Sequence, residues 1–406
     1  MSRRTSVPPR STTTLDPVEG DLEIGRYSVV NGTGHPPTLR VSGTVYCEGG
    51  NTFECSLSAE NLEAEENVTV RGDLEIEGNV KVEDGSLDVL GKMTARRVDV
   101  DATLNVDEDL TGRKVDVGGR LKVKGNAKAE DIDVGGSFEA DGGVQADRID
   151  VGGSVSIKSE VDISKLDVGG TAKVHGGKIR EVDVGGSFKS ESSLEFEKIN
   201  VGGVVRLASE SRGGDVNVGG AFKVEGNLEF GEVDVGGKVE ITGSGQGEDM
   251  EVGGKVEVGR SLKLSGNLEV GGKVRVDENV SARNIEVGGV FQSRSAKAEE
   301  RVEVGGSIIT VEGVIARFVE IGRRGKVRGP IRATQVIIGR DARAEDIYGT
   351  KILLRNGAHA ENVYGENVTI ESDCYIDGEV KYTDTLKTGK DVYFKTPPEK
   401  VERLPE

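Results

Sequence analysis

The sequence has no tryptophan, only 4% aromatic residues, three cysteines and three histidines among 406 residues. With so little bulky apolar material, a core must be narrow and filled by small or branched aliphatics. Cys47, Cys55 and Cys374 are odd in number and stand in no metal-ligand spacing, which fits a reducing compartment. His35, His175 and His359 lie far apart, and His175, beside Gly176-Gly177, and His359, between two alanines, each read as an outward loop residue rather than a base. No apolar run approaches the ~18 residues a spanning helix needs, and residues 1–17 lack the hydrophobic centre of a secretory signal. The expectation is a cytoplasmic protein, although contact of the basic N-terminus with a membrane surface stays open.

Positive charge is in short supply too. Against 71 Asp and Glu stand 53 Lys and Arg, a net charge of -18. Such a surface is soluble and self-repelling, and it argues against a nucleic-acid partner, which requires a basic face.

Glycine, in contrast, is abundant, with 60 residues. Much of it sits in one motif, an acid or amide followed by Val-Gly-Gly, as in Asp133-Val134-Gly135-Gly136. The motif returns twelve times between residues 116 and 306, at a spacing of seventeen with one sixteen and one eighteen. A short, regular period means one supersecondary unit stacked many times.

Within each period apolar residues come as i, i+2 pairs. After Val134 these are Phe138/Ala140, Val144/Ala146 and Ile149/Val151; after Val151 they are Val155/Ile157, Val161/Ile163 and Leu166/Val168. Such alternation marks short half-buried strands. Their steps of six, six and five residues predict an all-β fold, a single-stranded parallel β-helix with a triangular turn of about 17 residues. The double glycine reads as a corner that needs positive φ, with Gly125-Asn126, Gly226-Asn227 and Gly266-Asn267 serving a second corner. Ile321, Ile338, Leu354 and Ile370 continue the valine column after the glycines are lost.

The expected organisation is a disordered basic arm over residues 1–20, an irregular cap over 21–61, a β-helix rod over 62–382 and a tail over 383–406 that leaves the rod. Roughly nineteen turns at ~4.8 Å give a rod of ~90 Å. Tyr382, Tyr393 and Phe394 are candidates to fold over the last turn.

The residue before each motif valine must point outward. Read up the rod, these residues include Asp116, Asp133, Asp150, Asp167, Asp183, Asp234, Glu251, Glu269, Glu286, Glu303 and Glu320, interrupted by Asn200 and Asn217. Stacked carboxylates repel by on the order of 1 kcal/mol per neighbouring pair in high dielectric. The column is therefore either a stripe that docks a cation or a protein partner, or a solvated face; melting and assembly that respond to pH, salt and divalent ions would favour the stripe. A second outward column is read as Lys122, Lys173, Lys189, Arg206, Lys223, Arg275 and Lys326, mixed with Glu139, Glu240 and Glu257. It reads as local salt bridging or as a face that pairs rods. Tyr348 and Tyr364, one turn apart, predict an outward aromatic ladder.

Enzymatic readings find little support. The steps are not those of hexapeptide-repeat acyltransferases, the turns leave no room for a pectin-degrading cleft, and no Gly-x-x-x-x-Gly-Lys-[Ser/Thr] or calcium-binding nonapeptide sequence occurs. No catalytic residue, cofactor or metal is expected.

The segments Val327-Arg328-Gly329-Pro330-Ile331-Arg332-Ala333, Val336-Ile337-Ile338-Gly339 and Gly357-Ala358-His359-Ala360-Glu361-Asn362-Val363 resemble bactofilins, best over residues 305–380. The resemblance implies a right-handed triangular β-helix and nucleotide-independent, end-to-end filaments that scaffold membrane- or wall-associated processes. On this reading the protein is a homopolymer joined through its ends, with Ile376, Val380 and Tyr382 of the terminal turn as the assembly surface. The alternative is a monomeric binding or adhesion rod that presents its acidic face to a protein or cation. An enzyme comes third.

Overall fold

The computed structural model describes residues 4–405. These fall into two compact units, divided after Gly202. Each unit is a parallel β-solenoid, and among the described residues there is no helix.

One turn of the first unit shows the logic. Ile149 and Val151 point inward on face one, the chain passes the Gly152-Gly153 corner, Val155 and Ile157 point inward on face two, and Val161 and Ile163 point inward on face three. All six are buried. Leu166 and Val168 then return to face one directly over Ile149 and Val151. Phe138 stacks on Val155 and Val144 on Val161 in the same way. Strands on faces three and one often run together, as in Val144–Val151, because the bend between them keeps strand geometry. The second unit repeats the scheme, with Val235, Val252, Val270, Val287 and Val304 stacked on face one.

The core is as narrow as the composition requires. Phe53, Phe138 and Phe188 in the first unit and Phe222 and Phe291 in the second are its largest fully buried side chains, set among Val, Leu, Ile and Ala. Its few polar members are partnered: Asn51 donates its amide to the Gly25 carbonyl at 2.8 Å, and Ser28 donates its hydroxyl to the Pro8 carbonyl at 2.7 Å.

The double glycines have a different cause from the expected one. None of them has positive φ; among the second-corner glycines named above, Gly226 has it and Gly125 and Gly266 do not. A Cβ added at Gly135 would lie 2.2 Å from the Gly118 carbonyl oxygen, and one at Gly152 would lie 2.4 Å from that of Gly135. Corners stack backbone on backbone at the sheet spacing, and the inner wall of the bend has no room for a side chain.

The structure also moves both ends of the ladder. Residues 1–3 lie outside the described residues, but the rest of the expected arm pairs: Arg4–Val7 on Asp21–Ile24 and Thr12–Leu15 on Val29–Gly32. Val7 is buried, Arg10 turns the corner at φ 55° with its N–H donated to the Arg26 carbonyl, and Arg4 pairs with Glu23 at 2.5 Å. Backbone pairing to the next turn organises this Ser/Thr-rich segment, which has too few apolar side chains to signal it. Residues 21–61 are turns of the same solenoid, irregular because Leu22 pairs with Val45, a step of 23 residues. The tail does not leave. Tyr393–Phe394 stacks on Tyr375–Ile376, and Glu399–Lys400 on Lys381 and Tyr382.

Candidate functional site

The outward residue before each motif valine forms one column per unit. In the first unit Asp116, Asp133, Asp150, Asp167, Asp183 and Asn200 stand in register, rung on rung. Cations two residues before a column position reach three of the carboxylates, on their own turn or, for Lys165, on the next. Lys114 lies 3.9 Å from Asp116, Arg148 2.8 Å from Asp150, and Lys165 3.1 Å from Asp183. Burial pushes the Asp183 carboxyl up, but hydrogen bonds from Asn200 and Lys165 more than offset this and hold it below the usual carboxylate range. Here the column is partly salt-bridged: Asp116, Asp150 and Asp183 are paired, and among the described residues Asp133 and Asp167 are not.

The second unit differs. Asn217, Asp234, Glu251, Glu269, Glu286, Glu303 and Glu320 stand in register, and the column ends on Ile337. The residues two earlier are Glu232, Asp249, Asn267 and Asn284, so the local cations are gone until Arg301 reaches Glu303. Among the described residues, Asp234, Glu251, Glu269, Glu286 and Glu320 are in no ion pair. Glu251, Glu269 and Glu286 are exposed. They wall a shallow groove of about 540 Å³ whose floor is the glycine corner, from Gly253 through Gly271 and Gly288 to Gly305. The groove exists because the glycines carry no side chains. The spacing alone marks the carboxylates but does not distinguish the two halves of the column.

The first unit has a groove of about 490 Å³ at the same corner near its start. Arg4 lines it, paired with Glu23 and with its guanidinium 5.5 Å from the centre of the Tyr46 ring.

On face two the mixed column is locally paired. Lys238 lies 2.8 Å from Glu240 and 2.6 Å from Glu257, and Lys255 also reaches Glu257. Lys238 first, then Lys255, draws the Glu257 carboxyl down to about 2. Lys326 is not in this column; Arg328 stands there, over Ile309 and Gln292, while Lys326 stacks on Ser307. The Arg323-Arg324 corner is longer than the double glycine it replaces, which shifts the register by two.

The residues expected on the terminal turn do not form the end of the described ladder. Ile376 and Val380 are buried, and Tyr382 carries Lys400 above it. The last rungs are instead residues 385–388 on face one, Tyr393–Phe394 on face two and Glu399–Lys400 on face three. Tyr348 and Tyr364 form the aromatic ladder, with ring centres 5.0 Å apart and Arg332 4.0 Å from the Tyr348 ring. A second ladder, missed in the sequence, runs from His359 to Tyr375 at 4.7 Å and on to Tyr393 at 6.1 Å. Its signal was there to find, since all three follow a corner at one-turn spacing.

Among the described residues, no three of His, Cys, Asp or Glu are grouped to hold a metal ion, and no helix is long and apolar enough to cross a membrane. Comparison with protein-family models, with curated proteins and with solved structures finds no match.

Proposed function

We propose that this chain is a non-enzymatic structural protein whose copies join end to end into filaments, a cytoplasmic cytoskeletal scaffold of the kind the bactofilin resemblance implies. The observation that carries the reading is the matching order of the terminal rungs. Following the motif valines, face one of the first unit begins with Arg4–Val7, and face one of the second unit ends with residues 385–388. Each is four residues long and, among the described residues, paired along one edge. Laid in parallel register, Arg4 meets Thr385, Thr5 meets Leu386, Ser6 meets Lys387 and Val7 meets Thr388, so inward residues stay over inward residues. Faces two and three follow in the same order, Thr12–Leu15 after Tyr393–Phe394 and Val18 after Glu399–Lys400. Unpaired strand edges template one another, and on face one the two edges also match in length.

Electron microscopy and sedimentation of the purified protein test this. Filaments are expected for the native chain and none for Leu386→Asp; a native chain that forms no filament at any concentration or salt would sink the reading.

The second reading is a monomeric rod that binds an unidentified protein. One observation favours it. The last rungs of faces two and three are two residues each, and the nearby Pro397, Pro398 and Pro405 have no N–H to offer, which blunts an edge. It predicts single particles that retain one partner through the carboxylates of the second unit.

A further inference from the structure

The corner that carries the acidic groove reverses its charge further along the same unit. Residues 313–355 contain ten Arg and Lys (317, 323, 324, 326, 328, 332, 340, 343, 351 and 355) against four Asp and Glu (320, 341, 345 and 346) in a chain of net charge -18. Seven of the ten, Arg323, Arg324, Lys326, Arg328, Arg340, Arg343 and Arg355, are exposed at the corner or on face two. Lys326, Arg343 and His359 stack in one column, and Arg324, Arg340 and Arg355 occupy the corners beside it. Arg323 lies 3.6 Å from Asp341, and Arg332 rests on Tyr348. Among the described residues, Arg324, Lys326, Arg328, Arg340, Arg343 and Arg355 are in no ion pair. Like charges repeated rung on rung repel unless something of opposite sign lies against them.

The opposite sign is present on the same molecule. Glu251, Glu269 and Glu286 are equally without ion pairs and equally exposed. Shape agrees with charge: the acidic corner is recessed because its residues are glycines, and the basic corner carries exposed arginines, Arg323 and Arg324 between Gly322 and Gly325, Arg340 after Gly339, and Arg355 after Leu354. Both repeat at the ~4.8 Å sheet spacing, so charges can match over several rungs without strain.

We propose that two copies associate side by side and antiparallel through this corner, the basic corner of each lying in the acidic groove of the other. A two-fold axis between the rungs of Glu303 and Glu320 sets Arg340 opposite Glu286 and Arg355 opposite Glu269, both bare carboxylates, and Arg324 opposite Glu303, which Arg301 already reaches. The same operation forms the reciprocal three contacts, so the interface is isologous and closed. Because exposed ion pairs are weak singly and screened by salt, the pairing depends on repetition and weakens at high ionic strength. It does not rest on end-to-end joining, which uses other residues.

The test is sedimentation velocity of the full chain in the Leu386→Asp background, at 50 mM and 500 mM salt. A dimer at low salt that dissociates at least tenfold more readily at high salt is expected. Arg340→Glu alone and Glu286→Arg alone should each sediment as monomers at low salt, with melting temperatures unchanged to show intact folding. Their equimolar mixture should recover the dimer, since one contact then swaps its charges and the other stays native. Monomers of the parent chain at low salt, single variants that dimerise as the parent does, or a mixture that stays monomeric would each overturn the proposal. So would retention of the parent on vesicles containing phosphatidylserine, lost in Arg340→Glu, with sedimentation unaffected by that change; the basic corner would then face an anionic membrane.

Discussion

Gly153 donates its backbone N–H to the carbonyl oxygen of Gly136 at 3.0 Å, and a Cβ added at Gly153 would lie 2.5 Å from that same oxygen. The atom that accepts the corner's hydrogen bond is thus the atom that excludes a side chain. Gly153→Ala must push two turns apart at a backbone contact that cannot rotate away. The expected cost is about 1–3 kcal/mol, as for overpacking elsewhere, read by urea denaturation. Ser154→Ala, at an exposed neighbour, should stay within about 0.5 kcal/mol.

Phe222 is fully buried, with Val205 on one side and Val239 on the other. A core one side chain wide cannot collapse around a void, so Phe222→Ala should cost about 3–5 kcal/mol. Denaturation monitored by circular dichroism measures this, and a loss under 1 kcal/mol would contradict the packing described.

The Lys238–Glu257–Lys255 cluster gives the second unit an acid-sensitive component. The Glu257 carboxyl is held at about 2, below its ordinary value of 4.5. A depressed carboxylate contributes stability that is fully present above its unfolded value and is lost as pH falls through its folded value. Melting temperature should therefore drop between about pH 5 and pH 2. Glu257→Gln should be less stable than the parent at pH 7 and nearly equal to it at pH 2. A constant difference across that range would remove the cluster from the account.

Cys47 is buried, and burial pushes its thiol up to about 12; burial likewise raises Cys55 and Cys374. Thiolates are the reactive species, so all three should resist iodoacetamide at pH 8 in the folded chain and react in urea. Rapid native labelling at Cys47 would show that its turn opens.

Tyr348 is held between Arg332 and Tyr364. Tyr348→Ala removes one ring contact and one cation–π contact, with an expected loss of about 1–2 kcal/mol. Tyr348→Leu, which keeps bulk without the ring quadrupole, should recover part of it; full recovery would make the ladder simple packing.

The inward pairs, from Phe138/Ala140 to Leu166/Val168, were legible because a strand alternates its side chains and a solenoid repeats its turns, so two periods name the core without any long-range information. The start of the ladder was not. Thr12–Leu15 is ordered by backbone hydrogen bonds to residues 17 further on, and a run of threonines does not announce them. Tyr393–Phe394 and Glu399–Lys400 were hidden for the same reason, among prolines and charges that read as a departing tail.

The sequence by itself determined the repeat, the strand class, the buried columns and the outward acid column, since each follows from local spacing and the two-residue alternation of a strand. The tertiary structure decided what those features do. It replaced positive φ by backbone stacking as the reason for Gly-Gly. It placed Lys114, Arg148 and Lys165 against the carboxylates of one unit and left Glu251, Glu269 and Glu286 bare in the other. It also set Arg324, Arg340 and Arg355 on the same corner further along that unit, where the double glycine is lost. Ion pairing and groove depth depend on which side chains meet across turns about 17 residues apart, and that distance is closed only when the chain is wound.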